Sequence, residues 1–167
     1  MGPLGRYLAE DHARLDGLLA RALASPTFDL EAFEAFRAGL LRHIGIEEKL
    51  LLPEARRRRG GEPLPEAARL RREHGALAAL MVPTPDRALA GELAALLSAH
   101  NAVEEGPTGV YAGCDALVGD DAAELVARME AVVAPPVAAH FDGAGTVRTA
   151  AAALALADRH RPRRPRP

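Results

Sequence analysis

Four histidines stand along this chain at positions where leucines flank each of them at helical spacing. His43, for example, shares one side of a helical pattern with Phe36 and Leu40, in the stretch that leads into RHIGIEEKLLLP. A single histidine on an apolar face is usually a hydrogen-bonded core residue, but four of them, one for each of the first four predicted helices, favour a shared role. A buried polar group costs free energy unless it is partnered, and imidazole is the commonest metal ligand. The four residues are His12, His43, His74 and His100.

Two glutamates share these helical faces. Glu47 follows His43 by four residues and Glu104 follows His100 by four, in the matching texts HIGIEE and HNAVEE. Residues four apart lie on one face of a helix, so each glutamate is predicted to point into the core beside its histidine. The alternative is a hydrogen-bonded His–Glu pair at the surface, against which the leucines on both sides argue.

A second glutamate follows directly in each text, Glu48 in the first and Glu105 in the second. Each lies about a quarter turn from the core face, so we expect both at the surface. Glu105 is less constrained, because Gly106 and Pro107 can distort the helix and rotate its side chain inward. Glu104 and Glu105 therefore both stay open as candidate ligands.

Four imidazoles and two carboxylates suit a pair of divalent cations, with two histidines for each ion and the glutamates as bridges. This mixture of nitrogen and oxygen donors suits iron, and also manganese or zinc. The only cysteine, Cys114, excludes a cysteine-rich zinc site and an internal disulfide framework. Six side chains cannot fill two octahedral coordination spheres, so positions stay open for water, oxygen or another small ligand.

Helices must carry these donors, because the sequence is rich in alanine and leucine while aromatic residues make up only 4%. Good helix formers predominate and strand formers are scarce, which predicts an all-α fold. Pro53 should kink or end the second helix, and VYAGCDALVG resumes the fourth after Gly106 and Pro107. The predicted helices cover about 3–24, 29–53, 65–82, 86–105 and 120–133, with Asp29 and Asp86 as start signals.

The chain divides into a helical bundle over residues 1–134 and an extension over residues 135–167 that begins with two prolines. The sequence of the extension predicts one alanine-rich helix with little to pack against, followed by a flexible tail of arginine and proline. His140 and His160 fall outside the predicted core and are expected to be exposed. A solvated tail is favoured over one that binds an acidic protein or nucleic acid.

Charge and hydropathy disfavour several classes of function. The formal net charge of −2 gives no reason to expect nucleic acid or an anionic membrane as partner. No stretch approaches the roughly 20 apolar residues that span a bilayer, and the start MGPLGRYLAEDH lacks the pattern of a secretory signal. A cytoplasmic location is therefore predicted.

Over about Leu8 to Leu117, the order His, His-x-x-x-Glu, His, His-x-x-x-Glu resembles hemerythrin-like proteins of the HHE cation-binding type. The segments DHARLDGLL, HIGIEEKLLLPEA, REHGAL and SAHNAVEEG all look like that family's helices. The resemblance implies an up-down-up-down four-helix bundle around two non-haem irons, which bind oxygen, nitric oxide or exchangeable iron. It also implies terminal ligands at His12, His43, His74 and His100, with Glu47 and Glu104 as bridges.

Two departures from the family pattern bear on function. Oxygen-carrying members bear a second histidine four residues after the first on their third helix, where this chain has Ala78. One iron is then under-coordinated, which disfavours oxygen carriage and favours sensing, iron handling or redox chemistry. If the fourth helix persists through Pro107, Tyr111 lies two turns beyond Glu104, as a hydrogen-bond donor or a ligand; a packing role is the alternative.

Two other classes stay open at this stage. One is an iron-dependent oxidase or peroxidase, so the sequence leaves enzymatic activity undecided. The other is a helical regulatory or interaction module that holds zinc or no metal. The sequence does not determine the oligomeric state.

Overall fold

The computed structural model describes residues 1–24 and 26–159, and it is all-helical, with no strand in these two ranges. This confirms the predicted all-α class and is consistent with a hemerythrin-like helical bundle. The helices of the described part are α1 (Pro3–Ala24), α2 (Leu30–Ile46), α3 (Leu52–Arg58), α4 (Ala67–Leu80), α5 (Arg87–Glu105), α6 (Val110–Val118), α7 (Ala122–Glu130) and α8 (Ala150–Arg159).

Aspartates cap three helix starts, where backbone N–H groups have no partner within the helix. Asp29 accepts a hydrogen bond from the Ala32 N–H, and Asp86 accepts one from Leu89, which confirms both predicted start signals. The start of α1 is capped from another helix instead. Asp115 of α6 accepts hydrogen bonds from the N–H groups of Gly2, Leu4 and Gly5, at 2.6, 2.9 and 3.2 Å.

The helix does not end at Pro53, because α2 continues into α3 through a π-helical turn at Glu47–Leu51. The regular α-helical pattern is nevertheless interrupted just ahead of Pro53. In this turn the Leu52 N–H donates to the Glu47 carbonyl five residues back. A proline ring clashes with the carbonyl four residues before it, and a wider turn directly ahead relieves that clash. Pro53 then lies in the first turn of α3, where its missing N–H costs little.

The fourth predicted helix does not persist through Pro107. α5 ends at Glu105 and α6 begins at Val110, after a tight connection in which the Gly109 N–H donates to the Gly106 carbonyl at 2.7 Å. A Cβ atom at Gly109 would lie only 2.5 Å from the Glu104 carbonyl oxygen, so glycine is required there. This close approach lets α6 restart immediately beside the end of α5.

The alanine-rich segment has more to pack against than the sequence suggests. α8 contacts α4 and α5, and Ala153 is fully buried between them. The Ala150 N–H at its start donates to the Glu92 carboxylate at 2.7 Å. Small side chains allow this close approach of helices, which a hydrophobic pattern alone does not reveal.

The expectation that His140 is exposed is also wrong, because the segment before α8 folds back onto α2. His140 Nε2 lies 2.5 Å from the Glu34 carboxylate, and the side chain is only 19% exposed. The Phe141 N–H donates to the Val82 carbonyl at 3.0 Å. His160 and the predicted flexible tail over 160–167 lie outside the described residues.

Two apolar clusters make up the core, and the helices pass from one to the other at their histidines. On α1, Leu8 belongs to one cluster and Leu15 to the other, and on α4 the same holds for Leu70 and Leu77. The polar donors of these helices therefore lie in a layer between two apolar regions. Within the described residues, no helix combines the length and apolarity needed to cross a membrane.

Candidate metal centre

All six predicted donors are buried, each with at most 3% of its surface exposed. Two groups can be distinguished, and in each the ligand atoms lie within 4.8 Å of one another. The first group holds Glu47, His74, His100 and Glu104, and the second holds His12, His43 and Glu104. We refer to them as the His74/His100 half and the His12/His43 half of the centre.

Glu47 reaches both halves with its two carboxylate oxygens. Its Oε1 lies 3.6 Å from His43 Nε2, and its Oε2 lies 3.0 Å from His74 Nε2. The second contact lacks hydrogen-bond geometry, and Oε2 is buried with no hydrogen-bond partner among the described residues. A buried carboxylate oxygen without a partner costs free energy, which a cation placed between the halves would recover.

Glu104 of α5 also contacts both halves and also has one carboxylate oxygen without a hydrogen bond. Its Oε2 lies 3.3 Å from His100 Nε2 and 3.6 Å from His12 Nε2, so one oxygen faces an imidazole of each half. Its Oε1 is buried and accepts no hydrogen bond in the described part of the chain. Two carboxylate oxygens of the donor set thus accept no hydrogen bond from the described residues, which favours a cation at this position.

An outer carboxylate ring, formed by Asp11, Glu48, Glu73 and Glu105, surrounds the imidazoles. Every imidazole places its Nδ1 on one of these carboxylates: His43 on Asp11 at 2.9 Å, His74 on Glu48 at 2.8 Å, His100 on Glu73 at 2.8 Å and His12 on Glu105 at 2.6 Å. A carboxylate at Nδ1 favours the tautomer in which Nδ1 carries the proton. The Nε2 lone pairs then face the centre, where a metal ion can bind.

Tyr111 is fully buried at the start of α6, and its hydroxyl reaches into the His12/His43 half. The Tyr111 hydroxyl donates to Glu47 Oε1 at 2.7 Å, and Glu104 Oε2 lies 3.1 Å away. The Nε2 atoms of His12 and His43 lie 3.2 and 3.4 Å from the same oxygen. The pure packing role that the sequence left open does not describe a hydroxyl with four polar neighbours.

The family model described as Hemerythrin HHE cation binding domain matches residues 5–108, well over half of the chain. The chain belongs to this family. Comparison with curated proteins and with solved structures yields no significant match.

The hemerythrin HHE match covers α1 to α5 and all six predicted donors, together with the whole outer carboxylate ring. Tyr111, Asp115 and α6 lie beyond its last matched residue, and so does α8. The family therefore accounts for the His and Glu pattern of this HHE domain. It does not account for the phenol that contacts four of the six donors.

The electrostatics of the HHE centre compensate internally when no cation is bound. Burial disfavours the charged imidazoles, yet the charge of Glu47 and the hydrogen bond to Asp11 raise the pKa of His43 to about 10. Burial is likewise outweighed at His74, where Glu47 and Glu48 raise the pKa to about 9. Against its own burial, the neighbouring His43 and His74 hold the pKa of Glu47 well below its usual range. Without a cation, protons on His43 and His74 thus supply the positive charge that balances Glu47.

Other groups of the centre have pKa values shifted in the direction that favours their neutral forms. Burial and the repulsion of His43 lower the pKa of His12 to about 4. Burial and the charge of Glu47 raise the pKa of Glu104, and burial with both glutamates raises that of Tyr111 well above its usual range. Burial also raises the pKa of the Cys114 thiol to about 12, in keeping with a cysteine that takes no part in chemistry.

The outer carboxylate ring is the part of this centre that the sequence analysis missed or misassigned. Glu48 was expected at the surface, Glu105 was left open as a candidate ligand, and the sequence pattern did not indicate Asp11 or Glu73. A signal exists nonetheless, since each outer acid is the direct neighbour of an inner donor, in the texts DH, EE, EH and EE. A side chain a quarter turn from the core reaches the next helix of the bundle, where another histidine lies.

Proposed function

We propose that this HHE domain is an up-down-up-down four-helix bundle that holds two iron ions and binds oxygen, nitric oxide or exchangeable iron. Its role would lie in sensing, iron handling or redox chemistry. One observation supports this most strongly: two buried carboxylate oxygens, Glu47 Oε2 and Glu104 Oε1, have no hydrogen-bond partner between two converging imidazole pairs. Hydrogen bonds leave this set unsatisfied, whereas cations would satisfy it.

The donors fit iron by their chemistry, because imidazole and carboxylate without thiolate suit it, with zinc or manganese as substitutes. His12 and His43 would hold one ion, His74 and His100 the other, and Glu47 and Glu104 both. When bound, the pair of irons would supply an open position for a small ligand and reversible change of oxidation state. The protein side chains would supply the rest of the site.

The surrounding residues have separate tasks in this proposal. The outer carboxylate ring would keep the imidazoles in one orientation, with Nε2 inward. The apolar clusters on both sides would exclude water and strengthen the electrostatic attraction between the glutamates and a cation. Loss of the metals should loosen the bundle, because the buried Glu47 and Glu104 charges would then rely on protonated histidines alone.

The test is elemental analysis of protein purified without oxygen, followed by absorption spectra before and after exposure to oxygen. We expect iron in the wild type and a spectral change on exposure. Glu47→Ala should lose most of the iron, while Glu10→Ala, which removes an exposed glutamate of α1, should keep it. Unchanged iron content in Glu47→Ala would reject this bridge, and wild-type protein without iron would reject the proposal.

The cytoplasmic location and the division at residue 134 stay predictions from the sequence. Enzymatic turnover is separable from simple binding by the same preparation. Steady consumption of peroxide or of a reducing substrate by iron-loaded protein would place it among the oxidases or peroxidases.

A further inference from the structure

The environment of the Tyr111 hydroxyl is crowded with polar atoms. Four of them lie within 3.4 Å of it: His12 Nε2, His43 Nε2, Glu47 Oε1 and Glu104 Oε2. Two of these atoms are carboxylate oxygens, which accept hydrogen bonds when ionised, and the phenol has only one proton to donate. The hydroxyl proton therefore cannot serve both carboxylates.

We propose that Tyr111 is itself a metal ligand, the fifth protein donor of the His12/His43 half. This inference rests on the proposed function, since it presupposes a cation in that half. It adds a phenolate to the imidazole and carboxylate donors. It also assigns a metal-binding role to a residue beyond the part of the chain that the family model matches.

The spacing of the donors supports this assignment. Metal bonds to nitrogen and oxygen of about 2.0–2.2 Å place neighbouring ligands about 3 Å apart in octahedral and about 3.4 Å apart in tetrahedral geometry. From Tyr111 Oη the neighbouring donors lie at 2.7 to 3.4 Å. The distances from His12 Nε2 to Glu104 and from His43 Nε2 to Glu47 are both 3.6 Å. Tyr111 Oη thus lies at ligand spacing from each of these four atoms, and His12, His43 and Glu104 offer ligand atoms within 4.8 Å of one another.

The fold fixes the phenol at this point through two local devices. Gly109 allows α6 to restart against the end of α5, so that Tyr111 returns to the layer of Glu104. Asp115, four residues after Tyr111 on the same helical face, binds the first N–H groups of α1. α6 is thus tied to the helix that carries His12, and the phenol moves with its neighbours as one unit.

The proton balance of the step is simple. Tyr111 binds as phenolate, so its O–H bond breaks, the oxygen lone pair forms the bond to the cation, and the proton leaves to solvent. A bound cation stabilises the negative charge of an oxygen that coordinates it, which favours the loss of this proton. No change of oxidation state is needed for this step.

The experiment uses iron-loaded protein oxidised to iron(III), because a phenolate bound to iron(III) gives a visible charge-transfer band and enhanced phenolate vibrations in resonance Raman spectra. We expect the band in the wild type and its complete loss in Tyr111→Phe. Tyr7→Phe is the matched control, since Tyr7 is the other tyrosine of the chain and its hydroxyl contacts Arg42 at 3.0 Å. This variant should keep the band.

A second measurement leaves Tyr111 in place, in case its replacement disturbs folding. Tyr7→Phe protein grown with ring-deuterated tyrosine contains a single labelled phenol, and its enhanced vibrations should shift to lower frequency. Iron bound by the wild type without a phenolate band, or vibrations that do not shift, would overturn the assignment while the proposed function stands. Wild-type protein that binds no iron would overturn both.

Discussion

The two halves of the centre share one plan and differ in one polar contact. In both, a pair of imidazoles faces Glu47 and Glu104 with Nε2 and contacts an outer carboxylate with Nδ1. The His12/His43 half also contains the hydroxyl of Tyr111. The His74/His100 half has no such addition, and Ala78 stands one turn after His74, where oxygen-carrying relatives have a histidine.

This difference indicates where a small ligand would bind. With Tyr111 as a ligand and both glutamates as bridges, the His12/His43 half would have five protein donors and the His74/His100 half four. The open positions would then lie mainly beside His74 and His100. The general lesson is that the matched family pattern contains two similar groups of donors, while a residue outside that pattern contacts only one of them.

The largest expected effect comes from a change that abolishes both halves at once. Glu104→Gln keeps the size of the side chain but removes a charge that faces His12 and His100. Because a bridging carboxylate serves both ions, we expect both to be lost on dialysis, as measured by elemental analysis. Retention of one iron for each chain would mean that Glu104 serves only one half.

A pair of single-half variants should separate the halves. His12→Ala and His74→Ala should each lower the iron content from two ions to one for each chain, because each removes a terminal ligand from one half. The phenolate band should disappear in His12→Ala and persist in His74→Ala, whereas binding of added azide should follow the opposite pattern. The same spectrum in both variants would contradict the inequality of the halves.

The next largest effect is expected when a new side chain fills the open position beside His74. Ala78→His restores an imidazole one turn after His74, on the same face of α4. We expect azide or nitric oxide binding to weaken by about tenfold or more, because the added ligand competes for the open position. The phenolate band should stay unchanged, and Ala79→His serves as a control at the adjacent position. Unaltered azide affinity would indicate that the open position lies elsewhere.

The outer carboxylate ring offers a smaller and graded effect. Glu73→Gln should weaken metal binding in the His74/His100 half by about 10–100-fold, because Glu73 orients His100 from a buried position. Glu105→Gln should have a weaker effect on the other half, since Glu105 is 36% exposed and water can replace its bond to His12. Competition with a coloured chelator measures both, and a larger loss for Glu105→Gln would reverse the ranking.

The smallest effect is a pH dependence of the metal-free protein. The raised pKa values of His43 and His74 stabilise the fold below their usual value of 6.5, and this contribution disappears as pH rises through about 9 and 10. The lowered pKa of His12, about 4, acts oppositely: its contribution is present above 6.5 and declines as pH falls toward 4. The free energy of unfolding should therefore be highest near pH 6.5, and it should fall as pH rises from there toward 9 and 10.

Urea denaturation across this range checks the pH prediction, with the metal-loaded protein as control. Metal-bound imidazoles are already neutral, so the alkaline loss of stability should be absent after loading. A metal-free protein whose stability increases between pH 9 and 10 would contradict the assigned protonation of both histidines.

The sequence correctly placed the six inner side chains in the core, and the reason is physical. Each of them stands alone among leucines at helical spacing, so burial of the leucines buries the donor too. The helix starts at Asp29 and Asp86 were equally readable, because a cap depends on the next three residues. Local rules were sufficient wherever the controlling contacts were local.

What the sequence did not predict depends on contacts between distant elements. Glu73 and Asp11 have no local partner in the core, and each meets its histidine on another helix only after packing. The prediction put Tyr111 near Glu104 by assuming one continuous helix. The helix is interrupted after Glu105, yet Tyr111 does lie near Glu104. The packing of α8 on α4 and α5 depends on the close approach of small side chains, and a pattern of apolar residues in the sequence does not predict such an approach.

The π turn at Glu47–Leu51 has a consequence for how this segment tolerates length changes. The first two residues of this turn contact opposite sides of the His74 imidazole: Glu47 faces its Nε2 and Glu48 faces its Nδ1. Deleting one residue here would restore ordinary helical phase and swing everything downstream by about 100°. Leu51, Leu52 and Ala55 would then leave the interior they occupy. The extra residue of the π turn therefore sets the rotation of the helix so that Glu47 faces the histidines while Leu51, Leu52 and Ala55 face the apolar core.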